Sequence, residues 1–153
     1  MSQPYCYEFP RPAVTVDLVA FARLEGGWHV LLIRRRREPF AGRWAIPGGF
    51  LDMEETAVVG ARRELCEETG MEHDGPIALL GVYDALGRDP RGRTISLAYV
   101  TKLEGPPPEV KGGDDASKAA WVDVAKVDRA ALAFDHAQIL EDGLKWLGAQ
   151  CPT

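Results

Sequence analysis

No long apolar run exists in this chain of 153 residues, and nothing in it approaches the roughly 20 apolar residues needed to cross a bilayer. The opening stretch, MSQPYCYEFPRP, lacks the apolar core of a secretion signal, so the cytoplasm is the expected compartment. Cysteine is scarce too: Cys6, Cys66 and Cys151 are far apart and form neither a C-x-x-C metal pair nor an even disulfide framework. Reduced thiols are the reading, with Cys66 expected to be buried packing. His136 has no partner at ligand spacing and is expected at a helix terminus or on the surface. Positive charge is short, and the net charge of −5 argues against a broad surface for nucleic acid or anionic membrane, although a local basic patch can still hold a phosphate. Internal repeats and low-complexity tracts are absent. The one linker-like piece, GPPPEVKGG at 105–113, is too short to separate domains. Residues 1–153 therefore read as one domain, irregular over 1–12, where Pro4, Pro10 and Pro12 break any element.

What the chain does have is an excess of carboxylates in an unfavourable place. The stretch GGFLDMEETAVVGARRELCEETGM, residues 48–71, reads as a glycine turn feeding a helix over about 55–69, with Gly70 as its left-handed stop. Glu64, Glu67 and Glu68 stand at i, i+3 and i+4, on one sector and close enough to repel. They also occupy the last turns, where the helix dipole disfavours acids. On a helical wheel they lie beside the apolar stripe Ala57, Val58, Ala61 and Leu65, so they face a cleft rather than open solvent. A divalent cation would turn this repulsion into attraction, and oxygen-only ligands suit magnesium, manganese or calcium rather than zinc. Gly60, one turn before Glu64, costs about 1 kcal/mol against alanine in a helix interior, which implies a close approach there.

Gly49, five residues, Glu55, seven residues, then Arg63, Glu64, Leu65, Cys66, Glu67, Glu68, Thr69, Gly70 and Met71 fill every fixed position of the nudix box. The sequence thus resembles the nudix hydrolases. That resemblance implies the nudix fold, an α/β/α sandwich with a mixed β-sheet, and a Mg2+- or Mn2+-dependent pyrophosphohydrolase of a nucleoside diphosphate linked to another group. By the same resemblance Glu64, Glu67 and Glu68 are the helix metal ligands, a carbonyl at Gly48 is a further ligand, Gly49 shapes the loop and Arg63 orients the cluster. Glu55 lies off the metal sector and nearer Arg63, and reads as a support for the loop and that arginine.

Elsewhere, AVTVDLVAFA (13–22) and WHVLLI (28–33) read as buried strands joined at Gly26 and Gly27. Arg34, Arg35, Arg36 and Arg37 follow directly. They are either a solvated strand end or a phosphate grip, and Arg35 is the first choice by family resemblance. Phe40 and Trp44 are either core or a stacking face for a base. Two more strands, 77–83 and 94–103, flank the loop DALGRDPRGR. Turn chemistry accounts for its composition, while Arg88 within it is a candidate substrate contact. The runs GRWAIPGGF, RDPRGRTISLAYV and DHAQIL resemble the ADP-ribose pyrophosphatase-like branch, although Pro90 lies a few positions beyond that branch's proline. Asp114 and Asp115 sit in a loop that elsewhere in the family brings an acid to the metals, so one of them is a candidate to complete the metal site or to act as general base beside Glu64; the other reading of Gly-Asp-Asp is a polar turn. A short strand at 120–124 and a helix over 135–147, with Asp135 as candidate N-cap, close the chain.

The expected reaction is water attack on a diphosphate bridge, converting ADP-ribose to AMP and ribose 5-phosphate. Alternatives are a nucleoside triphosphate, dinucleoside polyphosphate or NDP-sugar pyrophosphohydrolase, or a non-catalytic sensor domain. Sensors of this family carry a following winged helix, for which a chain ending at Thr153 is expected to have no room. The expected partner is a small nucleotide, with no nucleic acid and no membrane, and resemblance to this branch implies a homodimer.

Overall fold

The computed structural model describes residues 4–151, so residues 1–3 of the expected irregular segment lie outside the described residues. Strands β1 (Ala13–Leu24) and β2 (Gly27–Arg35) form a hairpin whose turn glycines have φ of 93° and 136°, values that strain any residue with a Cβ. The two strands pair antiparallel only close to the turn, from Phe21↔Val30 to Leu24↔Gly27. Beyond it they part, and residues 44–50 fill the fork. Within that segment β3 (Trp44–Ala45) pairs with β2, and β4 (Gly48–Phe50) pairs with β1. The far edge of β1 carries β6 (Thr94–Lys102) in parallel, and β6 carries β5 (Ala78–Tyr83) antiparallel. The other edge of β2 carries β7 (Ala116–Asp123). All seven strands join one mixed sheet.

Helix α1 (Ala57–Thr69) covers one face and helix α2 (His136–Gln150) the other, giving the α/β/α sandwich that the sequence implied. The period-2 alternation of β1 explains how both faces close. Val16, Leu18 and Ala20 pack with Ala61 and Leu65 of α1. Val19 and Phe21 pack with Ile139, Leu140 and Leu147 of α2. Thr15 and Asp17 continue this second row beyond the core, to the place where the hairpin forks.

The boundaries differ from the sequence reading in instructive ways. Helix α1 starts at Ala57 because Thr56 caps it, its hydroxyl accepting from the Val59 N–H at 3.4 Å, and Glu55 stays in the turn before. Val58, read as part of the apolar stripe, is exposed, since the sheet meets a narrower band centred on Ala61 and Leu65. Strand β4 was legible only as a glycine turn; a Cβ on Gly48 would fall 2.3 Å from Asp17 Oδ1 and from the Val16 carbonyl, so glycine is what lets this strand form. Asp135 occupies the N-cap position of α2 but makes no capping bond, because its carboxylate is turned to Arg88. His136 is at a helix terminus as expected, but buried rather than on the surface.

Gly70 has φ of 72° and donates its N–H to the Cys66 carbonyl at 2.8 Å, with open space around its Cα. Gly148, on α2, also has open space and ordinary helical backbone. Alanine is therefore expected to act oppositely at the two sites. Gly70→Ala should lower stability by about 1–2 kcal/mol, and Gly148→Ala should raise it by up to ~1 kcal/mol, both measured as shifts in the urea midpoint.

Candidate active site

The last two turns of α1 bring Glu64, Glu67 and Glu68 to one wall of a cleft of about 300 Å3 at the fork of the hairpin. Glu64 and Glu68 are buried, at 8% and 4% exposure, and Glu67 stands at the rim. Arg63 gathers the acids. Its guanidinium meets Glu55 through Nε (3.0 Å) and Nη2 (2.6 Å), Glu64 and Glu67 through Nη1 (2.9 and 3.0 Å), and the Phe50 carbonyl through Nη2 (3.1 Å). The hydrogen bonds that Arg63 donates to Glu55 are the leading cause holding it charged far beyond its ordinary range. Glu55 also accepts from the Asp52 N–H at 2.9 Å, so one carboxylate fixes both loop and arginine. A Cβ on Gly60 would lie 2.8 Å from Glu55 Oε1 and from Leu51 Cδ1; the approach made there is by this supporting loop.

The glycine pair sits directly against the acids. Leu18 donates its N–H to the Pro47 carbonyl, which turns the polar groups of Gly48 away from β1 and toward the cleft. Gly48 N–H donates to Glu68 Oε2 at 3.0 Å, and a Cβ on Gly49 would fall 2.5 Å from Glu64 Oε1. Burial pushes the Glu68 carboxyl up to about 8, assisted by the neighbouring charges of Glu64 and Asp17 and opposed by the Gly48 N–H. Burial raises Glu64 too, against the pull of Arg63.

The opposite wall is basic and aromatic. The ladder between β2 and β7 slips by one residue at Arg34/Arg35, and Arg35 enters the cleft, donating Nε to the Pro39 carbonyl at 2.8 Å with its guanidinium 4.9 Å from the Phe134 ring. Arg91 lies over Phe50 (4.6 Å) and Phe134 (5.5 Å) and is gripped by Asp89 at 2.7 and 3.0 Å. Phe134 has φ of 51°, a strained conformation for a residue with a Cβ.

The floor is Asp17, whose Oδ2 accepts from the Ser96 hydroxyl. His136 Nδ1 accepts the Ile46 N–H at 3.0 Å, which leaves the ring proton on Nε2, 3.6 Å from Asp17 Oδ1. Burial holds this imidazole below its ordinary range and therefore neutral, with Asp17 opposing.

Other candidates are distributed unevenly. Asp114 lines the cleft in a left-handed conformation, φ 49°. Asp115 also borders it but pairs with Arg37 at 3.3 Å, both exposed. Arg88 reaches the cleft with its guanidinium closed by two bonds to Asp135, at 2.6 and 2.8 Å, and its side chain is 4% exposed. Trp44 does not line the cleft, correcting its place among the substrate contacts: pairing with β2 sets it opposite Arg34, against Leu32, Val122 and Leu132. Phe40 is one layer behind, edge-on to Phe134 with centroids 4.8 Å apart. Asp17, Asp89, Arg91, Ser96 and Phe134 were not singled out from sequence. A charge inside the apolar run AVTVDLVAFA was a usable signal for Asp17; Phe134 carried none.

As they stand, no three acids among the described residues are grouped to hold a metal ion, because Glu64 and Glu67 turn to Arg63 and Glu68 to Gly48. In kind, the set fits a hard divalent cation. Its donors are all oxygen, two are buried carboxylates raised by desolvation, and glycine at 49 leaves the space that Glu64 occupies.

A helix end of buried acids facing arginines and an aromatic ring, across the fork of a mixed sheet, defines a domain shaped for a phosphorylated small molecule and cations. Residues 11–143 match the NUDIX domain family, and the chain belongs to it. It is 41% identical over 135 residues to the ADP-ribose pyrophosphatase of Methanocaldococcus jannaschii, covering 88% of this chain and 75% of that protein. The fold is similar to the NUDIX domain of Shewanella oneidensis NrtR complexed with ADP ribose, at TM-score 0.84 and 30% identity, covering 91% of this chain and 90% of that one. It is also similar to a bifunctional NMN adenylyltransferase/ADP ribose pyrophosphatase from Francisella tularensis complexed with AMP and a Mn ion, at TM-score 0.80 and 30% identity, covering 93% of this chain but 44% of the other.

Gly49→Ala is expected to displace the Glu64 carboxylate. Affinity for Mn2+, read by calorimetry or electron paramagnetic resonance, should fall about 10–100-fold while the thermal midpoint moves little; unchanged Mn2+ affinity would remove Glu64 from the cation site.

Proposed function

We propose that this protein hydrolyses the diphosphate bridge of ADP-ribose, giving AMP and ribose 5-phosphate, with Mg2+ or Mn2+ held by Glu64, Glu67, Glu68 and the Gly48 carbonyl. The observation that carries the reading is the cleft with two unlike walls, buried acids on α1 and Arg35 beside Phe134 opposite. Similarity to a relative named as an ADP-ribose pyrophosphatase supports the substrate.

Bound divalent cations neutralise phosphate oxygens and make a water more acidic. The chain's own residues do the rest. Arg63, locked by Glu55, keeps the acids from splaying apart. Arg35 has Nε committed to Pro39, which leaves both Nη groups to grip phosphate. Glu64 or Asp114 accepts the proton of the attacking water; Asp115 is drawn away by Arg37. The water oxygen bonds to one phosphorus, the bridging P–O bond breaks, and the departing phosphate keeps the bridging oxygen. Phe134, strained and flanked by two arginines, offers the adenine a face. In this reading residues 1–153 act as one cytoplasmic catalytic domain. The free edge of β5, with Leu79 and Val82 exposed, supports a homodimer.

A second reading, binding of ADP-ribose without turnover, is favoured by the similarity to the NrtR domain. A product panel with ADP-ribose, NADH, diadenosine polyphosphates, GDP-mannose and 8-oxo-dGTP separates the two. AMP release from ADP-ribose with metal is expected, abolished in Glu67→Gln and Glu68→Gln. Calorimetric binding without any AMP would favour the sensor, and turnover confined to triphosphates would overturn the substrate. Phe134→Ala should raise KM for ADP-ribose about tenfold or more, the ~1–3 kcal/mol of a base–aromatic stack, with a smaller change in kcat.

A further inference from the structure

A second depression, of about 200 Å3, lies on the α2-side face of the sheet, separate from the catalytic cleft. Leu32, Val122, Val127 and Leu132 make its apolar floor, and Trp44 makes a wall. One cation, Lys126, lines it, and two more lie beside Trp44. Arg34 and Lys118, just outside the depression, face each other across the β2–β7 ladder and lie 5.7 and 5.8 Å from the Trp44 ring. Among the described residues none of the three has a carboxylate within salt-bridge distance. Asp128, the acid on the rim, caps the following turn by accepting the Ala130 N–H at 3.1 Å. In a chain of net charge −5, Arg34 and Lys118 together beside one aromatic wall, with Lys126 balancing Asp128 in the depression, make a local field that favours an anion.

We propose that this depression is a second, non-catalytic binding site for a single planar ring system carrying a phosphate, such as a nucleoside monophosphate. The ring lies on the apolar floor against Trp44, and the phosphate extends past Trp44 to Arg34 and Lys118. Size sets the class: the volume is below the roughly 300–1,000 Å3 of pockets that enclose drug-sized ligands, so one ring fits and a dinucleotide does not. Residues 132–134 run from this depression to the catalytic cleft. The Trp44 carbonyl accepts the Ala133 N–H at 2.9 Å, and the next residue is Phe134. The proposal does not depend on the catalytic reading, and its test involves no turnover.

The test is fluorine NMR of protein labelled with fluorotryptophan, in excess EDTA. The four tryptophans give separate reporters, and Trp44→Phe assigns the one that matters. AMP is expected to shift the Trp44 resonance saturably, with adenosine and inorganic phosphate each at least tenfold weaker. Arg34→Ala combined with Lys118→Ala should weaken AMP at least tenfold, Lys126→Glu should weaken it in the same direction, and Arg35→Ala, in the cleft, should leave the shift unchanged. The site is overturned if AMP leaves Trp44 unmoved, if adenosine alone matches AMP, if the charge variants bind as the wild type does, or if the shift vanishes in Arg35→Ala.

Discussion

The arrangement depends on one electrostatic constraint: carboxylates must be held together, partly out of water, at the negative end of a helix. Arg63 makes this tolerable. A single planar guanidinium reaches Glu55, Glu64, Glu67 and the Phe50 carbonyl at once, which a lysine ammonium could not do in those directions. Glu55 is the anchor of that arrangement because it lies outside the helix and off the sector of Glu64, Glu67 and Glu68, so it binds Arg63 without competing for the cleft. The price is an unrelieved remainder: Glu68, beyond Arg63's reach and almost wholly buried, has its carboxyl pushed up to about 8.

The sheet supplies the location. The β1–β2 hairpin is opened by residues 44–50, which pair with both strands in turn, and the opening is where Asp17, Gly48 and Glu68 converge. Glycine at 48 permits β4 to lie against β1, and glycine at 49 permits Glu64 to lie against β4. Each glycine removes a different collision, which is why a single one would not serve. Below them Ser96, Asp17 and His136 form a floor in which each polar group is partnered and the imidazole stays neutral.

Much of this was legible in the sequence because it followed local rules. Helical spacing placed the three glutamates on one sector, the left-handed stop at Gly70 followed from glycine chemistry, and continuous apolar runs marked β1 and β2 as strands covered on both faces. What was not legible depended on partners distant in sequence. Trp44 reads equally as core or as a stacking ring until β3 is known to pair with β2 and carry it behind the cleft. Arg88 looks like a free cation in an exposed loop, and only the fold brings Asp135, 47 residues away, against it. Phe134 gives no signal at all, since its φ is imposed by the tertiary path into α2. The apolar stripe of α1 was overestimated at Val58 for a related reason: one helix face says which residues could be buried, and the partner surface decides how wide the buried band is.

The pairing of the arginines decides where an anion can go. Arg88 is closed by a bidentate carboxylate and stays so, because opening it would leave its buried guanidinium without a partner. Arg91 is gripped by Asp89 but lies over two rings, so its charge bears on the aromatic slot more than on a phosphate. Arg35 is held only at Nε, by a neutral carbonyl, and burial together with the repulsion of Arg91 lowers its pKa. Both of those costs of keeping Arg35 charged are relieved by a phosphate. Among the described residues the basic wall of the cleft thus has one open cationic position, and it faces the acidic wall. In the proposed reading a diphosphate arriving with divalent cations would meet both walls, and the one open arginine limits how much negative charge the basic wall can balance without them.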